Sequence, residues 1–224
     1  MKSLRDMSLR TEIALAVSML FIIAASVIAM LALMLFEAEK KASLATEAFD
    51  FASAMADNVD NKLLLVHSTI IAVAATAPPR ALEDYLVSEA FLEKQVALHA
   101  LFDNGLFLVA LDGRLIGESP PRPARRGSNV SAREYFHNTV NTRKPYISKP
   151  YRSTHKPGQP ALIMTAPVFN PSGELIGVLE GSMDLLGGNI LADLAKVRIG
   201  RTGFLFLSDG RDTMISHPDP SRIM

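Results

Sequence analysis

The string SAREYFHNTV places an arginine beside two aromatic rings, as Arg133, Tyr135 and Phe136. A guanidinium group binds a carboxylate through two parallel, charge-assisted hydrogen bonds, and aromatic rings can form the wall of a pocket around that contact. The surrounding segment is basic, because residues 122–156 contain nine Lys or Arg residues and one acid, Glu134. These residues predict a site for a small anion. The alternative is a solvated basic face near anionic lipid, with both aromatic residues in the core.

The rest of the sequence carries no motif typical of catalysis or metal binding. It has no G-x-S-x-G nucleophile elbow, no phosphate-binding P-loop, no dinucleotide-binding glycine fingerprint and no H-E-x-x-H zinc motif. The five histidines are scattered, and the chain has no cysteine. Lys plus Arg and Asp plus Glu balance at 23 each, which gives no net attraction to nucleic acid. We therefore expect no enzymatic activity, metal, cofactor or nucleic-acid partner.

A long apolar segment near the N-terminus predicts a membrane anchor. The 24 residues Ile13–Phe36 contain no charge, proline or glycine. As a helix they would be about 36 Å long, enough to cross a hydrocarbon core of about 30 Å. Three basic residues and two acids precede the segment, and because Lys and Arg decide orientation, the positive-inside rule keeps residues 1–12 in the cytoplasm and places residues 37–224 outside. A cleaved signal peptide is the alternative, although its apolar region is usually only about 7–15 residues long.

Residues 37–77 form a second helical pattern. Apolar residues recur there in steps of three and four, and a Pro-Pro pair follows. A helix of about 40 residues would be about 60 Å long, longer than a small domain is wide. One interpretation is a spine helix that forms a homodimer contact. The other is an ordinary core helix with a break near Asp57.

The remaining residues predict an α+β fold with an antiparallel sheet. Tight-turn sequences such as Asp112-Gly113 join consecutive strands, with helices set to one side. In one helix, Ser131 is the expected N-cap and Glu134 the capping-box acid. The predicted helices cover residues 80–100, 131–143 and 186–196, and the predicted strands cover residues 106–111, 114–118, 146–153, 161–169, 174–183, 203–207 and 213–217.

Several ordered motifs between residues 40 and 224 resemble one family. They are LFDNGLFLVALDGRLIGESP, SAREYF, KPYISKPYRS, ALIMTAPVFNPSGELIGVLEGSMDL and RTGFLFLSDGRDTMISHPDPSRIM. In this order they resemble the double Cache family, the extracytoplasmic sensor module of bacterial receptors in the inner membrane. The resemblance implies a PAS-like, membrane-distal, ligand-binding subdomain over residues 78–185. Residues 186–224 would begin a membrane-proximal subdomain that is incomplete, so we expect a truncated receptor.

The resemblance also implies which residues contact a ligand. In amino-acid-binding members, an arginine followed by two aromatic residues binds the carboxylate, and a tyrosine and two aspartates hold the rest of the ligand and its ammonium group. The matching residues are Arg133, Tyr135, Phe136, Tyr151, Ser153 and Asp184. The family pattern has tryptophan and tyrosine as its two aromatic residues, and Ser153 replaces the first aspartate. Because one ammonium-facing carboxylate is lost, these residues favour a small organic acid over an α-amino acid.

The function expected from these features is that of a membrane-anchored sensor. It would bind a small, carboxylate-bearing ligand and signal across the membrane, as a homodimer through the spine helix. The final segment most resembles sensors attached to diguanylate cyclases. Chemoreceptors and the histidine kinases of two-component systems use the same module, so they are alternative outputs. A structural membrane protein that binds no ligand is a further alternative.

Overall fold

The computed structural model describes residues 9–189, 191–210 and 213–224. Most of the predicted cytoplasmic segment, residues 1–8, lies outside the described residues. Two compact units divide the chain, residues 1–54 and Met55–Met224. Each unit is held together mainly by its own contacts, so each is described separately.

One α-helix, α1, spans Leu9–Ala74 and includes both predicted helical segments. In the first unit, every described residue from Leu9 to Ala54 is exposed. By length and composition, α1 is long and apolar enough to cross a membrane. The predicted break near Asp57 is absent, because the helix continues through this position.

The last part of α1 is a core helix of the second unit. Val59, Val66, Ile70 and Ala74 are buried, at steps of seven and four residues that repeat one face of the helix. The helix ends three residues before the predicted boundary at residue 77. The chain turns there, with Thr76 N donating to Val73 O at 2.9 Å. The Pro-Pro pair that follows lacks the backbone donors that would continue the helix.

An antiparallel sheet of six strands forms the centre of the second unit. Its strands are β1 (Leu106–Ala110), β2 (Leu115–Ser119), β3 (Tyr146–Ile147), β4 (Tyr151–Arg152), β5 (Pro160–Phe169) and β6 (Leu175–Asp184). The strand order is β2-β1-β6-β5-β3, and β4 also pairs with β5. Every one of these pairs is antiparallel. The α+β class and antiparallel sheet predicted from the sequence are confirmed.

The two faces of this sheet pack against different helices. The remaining α-helices are α2 (Tyr85–Glu93), α3 (Val96–Leu101) and α4 (Glu134–Thr142). One face, which we name the α1 face, belongs to the same core cluster as the buried residues of α1 and includes Leu108, Met164 and Leu179. The opposite face, named the α4 face, carries Phe107 and Val178 and packs with two aromatic residues of α4. Gly181 is required where the sheet meets Phe102, because a Cβ there would lie 2.7 Å from the ring.

Two predicted elements are divided in the structure. The predicted helix at residues 80–100 becomes a 3₁₀ helix at Pro79–Leu82 followed by α2 and α3. Asp84 starts α2, since its carboxylate accepts from Leu86 N at 2.7 Å. The predicted strand at residues 146–153 becomes β3 and β4. Between them lies Pro150, which has no backbone N–H to donate to the sheet.

The predicted cap of α4 was wrong. The helix begins at Glu134, and Arg133 takes the cap position with no side-chain capping bond. The displacement has a local cause, because the Asn129 side chain accepts from Ser131 N at 2.7 Å and closes a turn before the helix. Glu134 makes contacts away from the cap, accepting a hydrogen bond from Tyr146 at 3.2 Å.

The last segment differs from its prediction. In place of a helix at residues 186–196 there is a 3₁₀ helix at Ala192–Lys196, preceded by Gly187-Gly188, which disfavours a helix. Two short strand pairs follow, β7 (Arg198–Ile199) with β8 (Gly203–Phe204), and β9 (Leu207–Ser208) with β10 (Met214–Ser216). In the hairpin predicted from residues 203–207 and 213–217, only the end of the first strand therefore pairs with the second strand. Residues 211–212 of its turn lie outside the described residues. A last 3₁₀ helix covers Pro220–Arg222.

Candidate ligand-binding site

A small cavity lies on the α4 face of the sheet. Its apolar lining consists of Phe107, Leu115, Val130 and Ile163, and its polar lining of Arg125, Tyr135, Tyr151, Thr154, His155 and Glu180. The cavity volume is about 10 Å³, which is about the space that one water molecule needs. Mixed polar and apolar lining is typical of ligand pockets, and two of the predicted ligand residues, Tyr135 and Tyr151, line this cavity, so we take it as the candidate site.

Two tyrosines from different elements form one wall of the cavity. The rings of Tyr135, on α4, and Tyr151, on β4, have centroids 5.6 Å apart. The Tyr151 hydroxyl shares a hydrogen bond of 2.9 Å with Ser182 Oγ, which also accepts from Asn104 Nδ2 at 2.7 Å. Burial raises the pKa of Tyr151 to about 12 and also raises the pKa of Tyr135. Both phenols are therefore neutral at physiological pH and able to donate hydrogen bonds.

Arg133 lies beside this wall, immediately before α4. Its guanidinium carbon is 5.9 Å from the centroid of the Tyr151 ring, a cation–π distance. Among the described residues, no carboxylate lies within ion-pair distance of this guanidinium. Its positive charge nevertheless lowers the pKa values of Tyr135, Tyr151 and Glu180 against the larger effect of burial. Arg133 thus supplies a positive charge that no neighbouring acid neutralises through direct contact.

A buried cluster occupies the other side of the cavity. Arg125 Nη1 donates to Glu118 Oε2 at 2.5 Å, and Arg125 Nη2 donates to Thr154 Oγ1 at 3.2 Å. His155 Nδ1 lies 3.0 Å from Arg125 Nη1 and 3.1 Å from Glu118 Oε2, so its tautomer decides which contact is a hydrogen bond. The cluster joins β2 to the turn after β4. Because Arg125 is committed to Glu118, its charge is largely compensated.

Glu180 is a buried acid without a direct partner. It lies on β6, and its Oε1 atom is buried with no hydrogen-bond partner in the described part of the chain. Burial raises the pKa of Glu180 to about 8, against the opposing effects of Arg125 and Arg133. A carboxyl group in this state is mainly protonated at neutral pH.

The structure places only some of the predicted ligand residues at the cavity. Tyr135 and Tyr151 line it, and Arg133 lies against Tyr151. Phe136 is buried in the apolar cluster of the α4 face and is not part of the lining. Ligand contact by these four residues stays a prediction.

Ser153 and Asp184 have other contacts. Ser153 Oγ accepts from the backbone N–H groups of His155 and Lys156, at 3.1 Å and 3.0 Å, and so stabilises a turn. Asp184 accepts from Lys156 Nζ at 3.0 Å and from Leu186 N at 3.0 Å. Neither residue lines the cavity. Ser153 and Asp184 could make their predicted ligand contacts only if these hydrogen bonds were broken.

The residues that sequence reasoning missed are Glu180, Arg125 and their neighbours. Glu180 had a readable signal, because it is the only charged residue between Leu175 and Met183, in the middle of the strand. Residues two apart in a strand share a face, so Glu180 and Ser182 lie on the same side as Asp184. The predicted ligand residue Asp184 therefore lies on the correct face of β6. It is at the end of the strand, however, four residues beyond Glu180, which lines the cavity. Nothing in the sequence distinguished Arg125 from the other basic residues nearby.

Several solved structures with a similar fold are ligand-binding domains of bacterial chemoreceptors. The domain of the Pseudomonas aeruginosa amino acid chemoreceptor PctB, in complex with L-Gln, has a TM-score of 0.59 and 22% identity, and the alignment covers 75% of this chain and 66% of that one. The corresponding domain of PctC from the same organism, in complex with GABA, has a TM-score of 0.55, 21% identity and coverages of 74% and 70%. That of Pseudomonas fluorescens CtaA, in complex with L-serine, has a TM-score of 0.55, 20% identity and coverages of 74% and 66%.

These likenesses concern the fold, and the chain spans about two thirds of the length of those domains. The comparison with curated protein sequences found no significant match. Residues 35–224 match the family dCache_1, described as a Cache domain. The match includes both the cavity and the sheet that supports it. The chain therefore belongs to the Cache domain family, as its ordered sequence motifs predicted.

Proposed function

We propose that this protein is the sensing part of a membrane receptor that binds a small carboxylate-bearing ligand on the α4 face. The observation that carries the proposal is the uncompensated guanidinium of Arg133 beside the tyrosine wall of a buried cavity. A carboxylate placed there would receive charge-assisted bonds from Arg133 and further hydrogen bonds from neutral tyrosine hydroxyls. The membership in the Cache family supports a sensing role.

The proposed ligand is larger than the space now present. A cavity of about 10 Å³ has room for one water molecule. We infer that ligand binding moves the loop that carries Arg125 and the turn that carries His155 outward from α4. Such a movement would be the origin of the signal, provided that the ligand binds the two arrangements with different affinities.

Anchoring and output are further parts of the proposal. The exposed apolar part of α1 would be a single span of a bacterial inner membrane, with residues 37–224 in the periplasm. The chain would form a homodimer through α1 and act on a cytoplasmic output, with a diguanylate cyclase favoured over a chemoreceptor or histidine kinase. The chain itself would not be an enzyme. Ligand-dependent synthesis of cyclic di-GMP by the complete receptor in its host would test the favoured output, and its absence would contradict it.

Ligand binding can be tested on the full chain in lipid nanodiscs. Isothermal titration calorimetry with a panel of small carboxylates, from acetate to lactate, pyruvate, succinate and malate, should identify at least one ligand. Arg133→Ala should weaken its binding by about tenfold or more, because a charge-assisted contact of about 1.5–3 kcal/mol is lost. Lys144→Ala is the control, since this lysine is an exposed cation just beyond the other end of α4. Equal affinity in the Arg133→Ala protein would contradict the proposal.

A further inference from the structure

A buried acid beside a proposed anion site needs a physical explanation. Glu180 lines the same cavity as Tyr135 and Tyr151, and it is fully buried. An ionised carboxylate there would repel the carboxylate of a ligand. The question rests on the proposed function, because it arises only if the site binds anions.

The register of the sheet shows why Glu180 has no direct partner. Glu118 on β2 pairs with Phe107 on β1, which pairs with Glu180 on β6, which in turn pairs with Thr165 on β5. Directly paired residues of neighbouring strands point to the same face, so both glutamates lie in one row of the α4 face. With one strand between them, their Cα atoms are about 10 Å apart.

The cations near this row are distributed unequally between the two acids. Arg125 Nη1 contacts Glu118 at 2.5 Å, and His155 lies 3.1 Å from the same carboxylate oxygen. Glu180 has no ion pair among the residues that the structure describes, and its Oε1 atom has no hydrogen-bond partner there. An unpaired carboxyl group in such a site avoids the cost of a buried charge by keeping its proton.

The protonation of Glu180 then decides the charge of the site. The charged or titratable groups that face it are Arg125, Arg133, Glu118, His155, Tyr135 and Tyr151. Arg125 and Glu118 cancel, and the two neutral phenols add no charge. Arg133 therefore leaves the site with one positive charge when Glu180 is neutral. When Glu180 is ionised, its charge cancels that of Arg133, and the net charge of the site is zero.

We propose that Glu180 is the specificity-determining residue of this site, and that the site binds a carboxylate only while Glu180 is protonated. In that state its hydroxyl can donate a hydrogen bond to the ligand, while Arg133 supplies the opposing charge. Loss of the proton removes the donor and introduces a repelling charge. Anion binding is consequently coupled to the proton on Glu180, and the bound anion favours that proton in return.

The coupling gives a defined dependence on pH. The pKa of Glu180 is raised to about 8, so the neutral form predominates at pH 6 and makes up about a tenth of the protein at pH 9. Apparent affinity falls in proportion to the competent fraction. Acetate, lactate and pyruvate stay ionised throughout this range. The wild-type protein should therefore bind them about tenfold more weakly at pH 9 than at pH 6.

The test compares three 224-residue proteins, the wild type and two variants, in nanodiscs at pH 6, 7, 8 and 9, with the same carboxylate panel in calorimetry. Glu180→Gln should bind at pH 9 as tightly as at pH 6, because glutamine is a neutral donor of similar shape. Glu134→Gln should keep the wild-type pH response, since Glu134 is an exposed acid next to Arg133. Infrared spectroscopy at pH 7 should also show a protonated carboxyl band that Glu180→Gln lacks.

The outcomes separate this inference from the proposed function. A tenfold fall that disappears in Glu180→Gln supports the proton linkage. A wild-type affinity that does not change with pH overturns it, as does a fall that persists in Glu180→Gln, which would then belong to another group. Absence of the protonated band also overturns it. If no carboxylate binds to any of the proteins, the proposed function fails and the linkage fails with it.

Discussion

The two faces of the central sheet bury different kinds of side chain at the same depth. The α1 face is apolar, with Leu108, Met164 and Leu179 fully buried. The α4 face buries Glu118 and Glu180 together with tyrosines around a cavity. Apolar burial stabilises the fold, whereas buried acids destabilise it unless they are paired or protonated. The α1 face is therefore the main source of stability, and the α4 face retains costly groups that suit recognition.

Leu179 and Glu180 offer the sharpest form of this comparison, because they are neighbours on β6 that point to opposite faces. Leu179→Ala should lower the free energy of unfolding by about 2–5 kcal/mol, since Leu179 is fully buried and leaves a cavity. Denaturant titration followed by circular dichroism measures the change. The control is Leu86→Ala at an exposed leucine of α2, expected to change stability by less than about 0.5 kcal/mol. Equal effects at the two leucines would contradict the assignment of the α1 face as the core.

Glu118→Gln should destabilise the protein by about 3 kcal/mol. The substitution leaves the half-buried Arg125 without the carboxylate that it contacts at 2.5 Å. Glu89→Gln is the matched control, because it breaks a more exposed Glu–Arg pair with Arg126 and should cost about 1 kcal/mol or less. The same titrations measure both. A smaller loss at Glu118 than at Glu89 would show that the buried cluster is not a stabilising part of the α4 face.

Glu180→Gln should stabilise the folded protein at high pH, in contrast to the destabilising Glu118→Gln. In the folded state the pKa of Glu180 is raised from 4.5 to about 8, so between these values the folded protein holds a proton that the unfolded chain releases. Its contribution to stability is present below pH 4.5 and is lost as the pH rises towards 8, by at most about 1.4 kcal/mol per pH unit. Glu180→Gln should remove this slope and be more stable than the wild type above pH 8. Parallel pH profiles for the two proteins would contradict the raised pKa.

Tyr151→Phe should have the smallest effect on stability, lowering the free energy of unfolding by about 1 kcal/mol. The substitution removes the hydrogen bond of 2.9 Å between the Tyr151 hydroxyl and Ser182 Oγ. Tyr85→Phe serves as the control, and thermal unfolding of both proteins gives the difference. A stability change no larger than that of Tyr85→Phe would mean that the tyrosine wall is not held by Ser182.

Much of the fold could be predicted from the sequence, because its signals are local. The Asp112-Gly113 turn and the apolar strands on either side fixed the hairpin of β1 and β2 correctly. Errors occurred where a single side chain changed the local path of the chain, as when the Asn129 turn moved the N-cap of α4 from Ser131 to Arg133.

The candidate site was less predictable, because its key properties are contacts between distant residues. Arg125 differs from its basic neighbours only through Glu118 and Thr154, which lie 7 and 29 residues away. The lack of a partner for Glu180 depends on four strands in register. The family resemblance identified Arg133 and Tyr151 as candidate ligand residues. Arg125 and Glu180 could be identified only from the three-dimensional structure.

The most direct test of the central claim, that this cavity is the site of recognition, uses the chain's four tyrosines. In the 224-residue chain with ¹³C-labelled tyrosine, NMR spectra recorded with and without a bound carboxylate report on Tyr85, Tyr135, Tyr146 and Tyr151 separately. We predict that the ring signals of Tyr135 and Tyr151, which line the cavity, shift on binding, while those of Tyr85 stay in place. Ligand binding that shifts Tyr85 and leaves Tyr135 and Tyr151 unchanged would contradict the account.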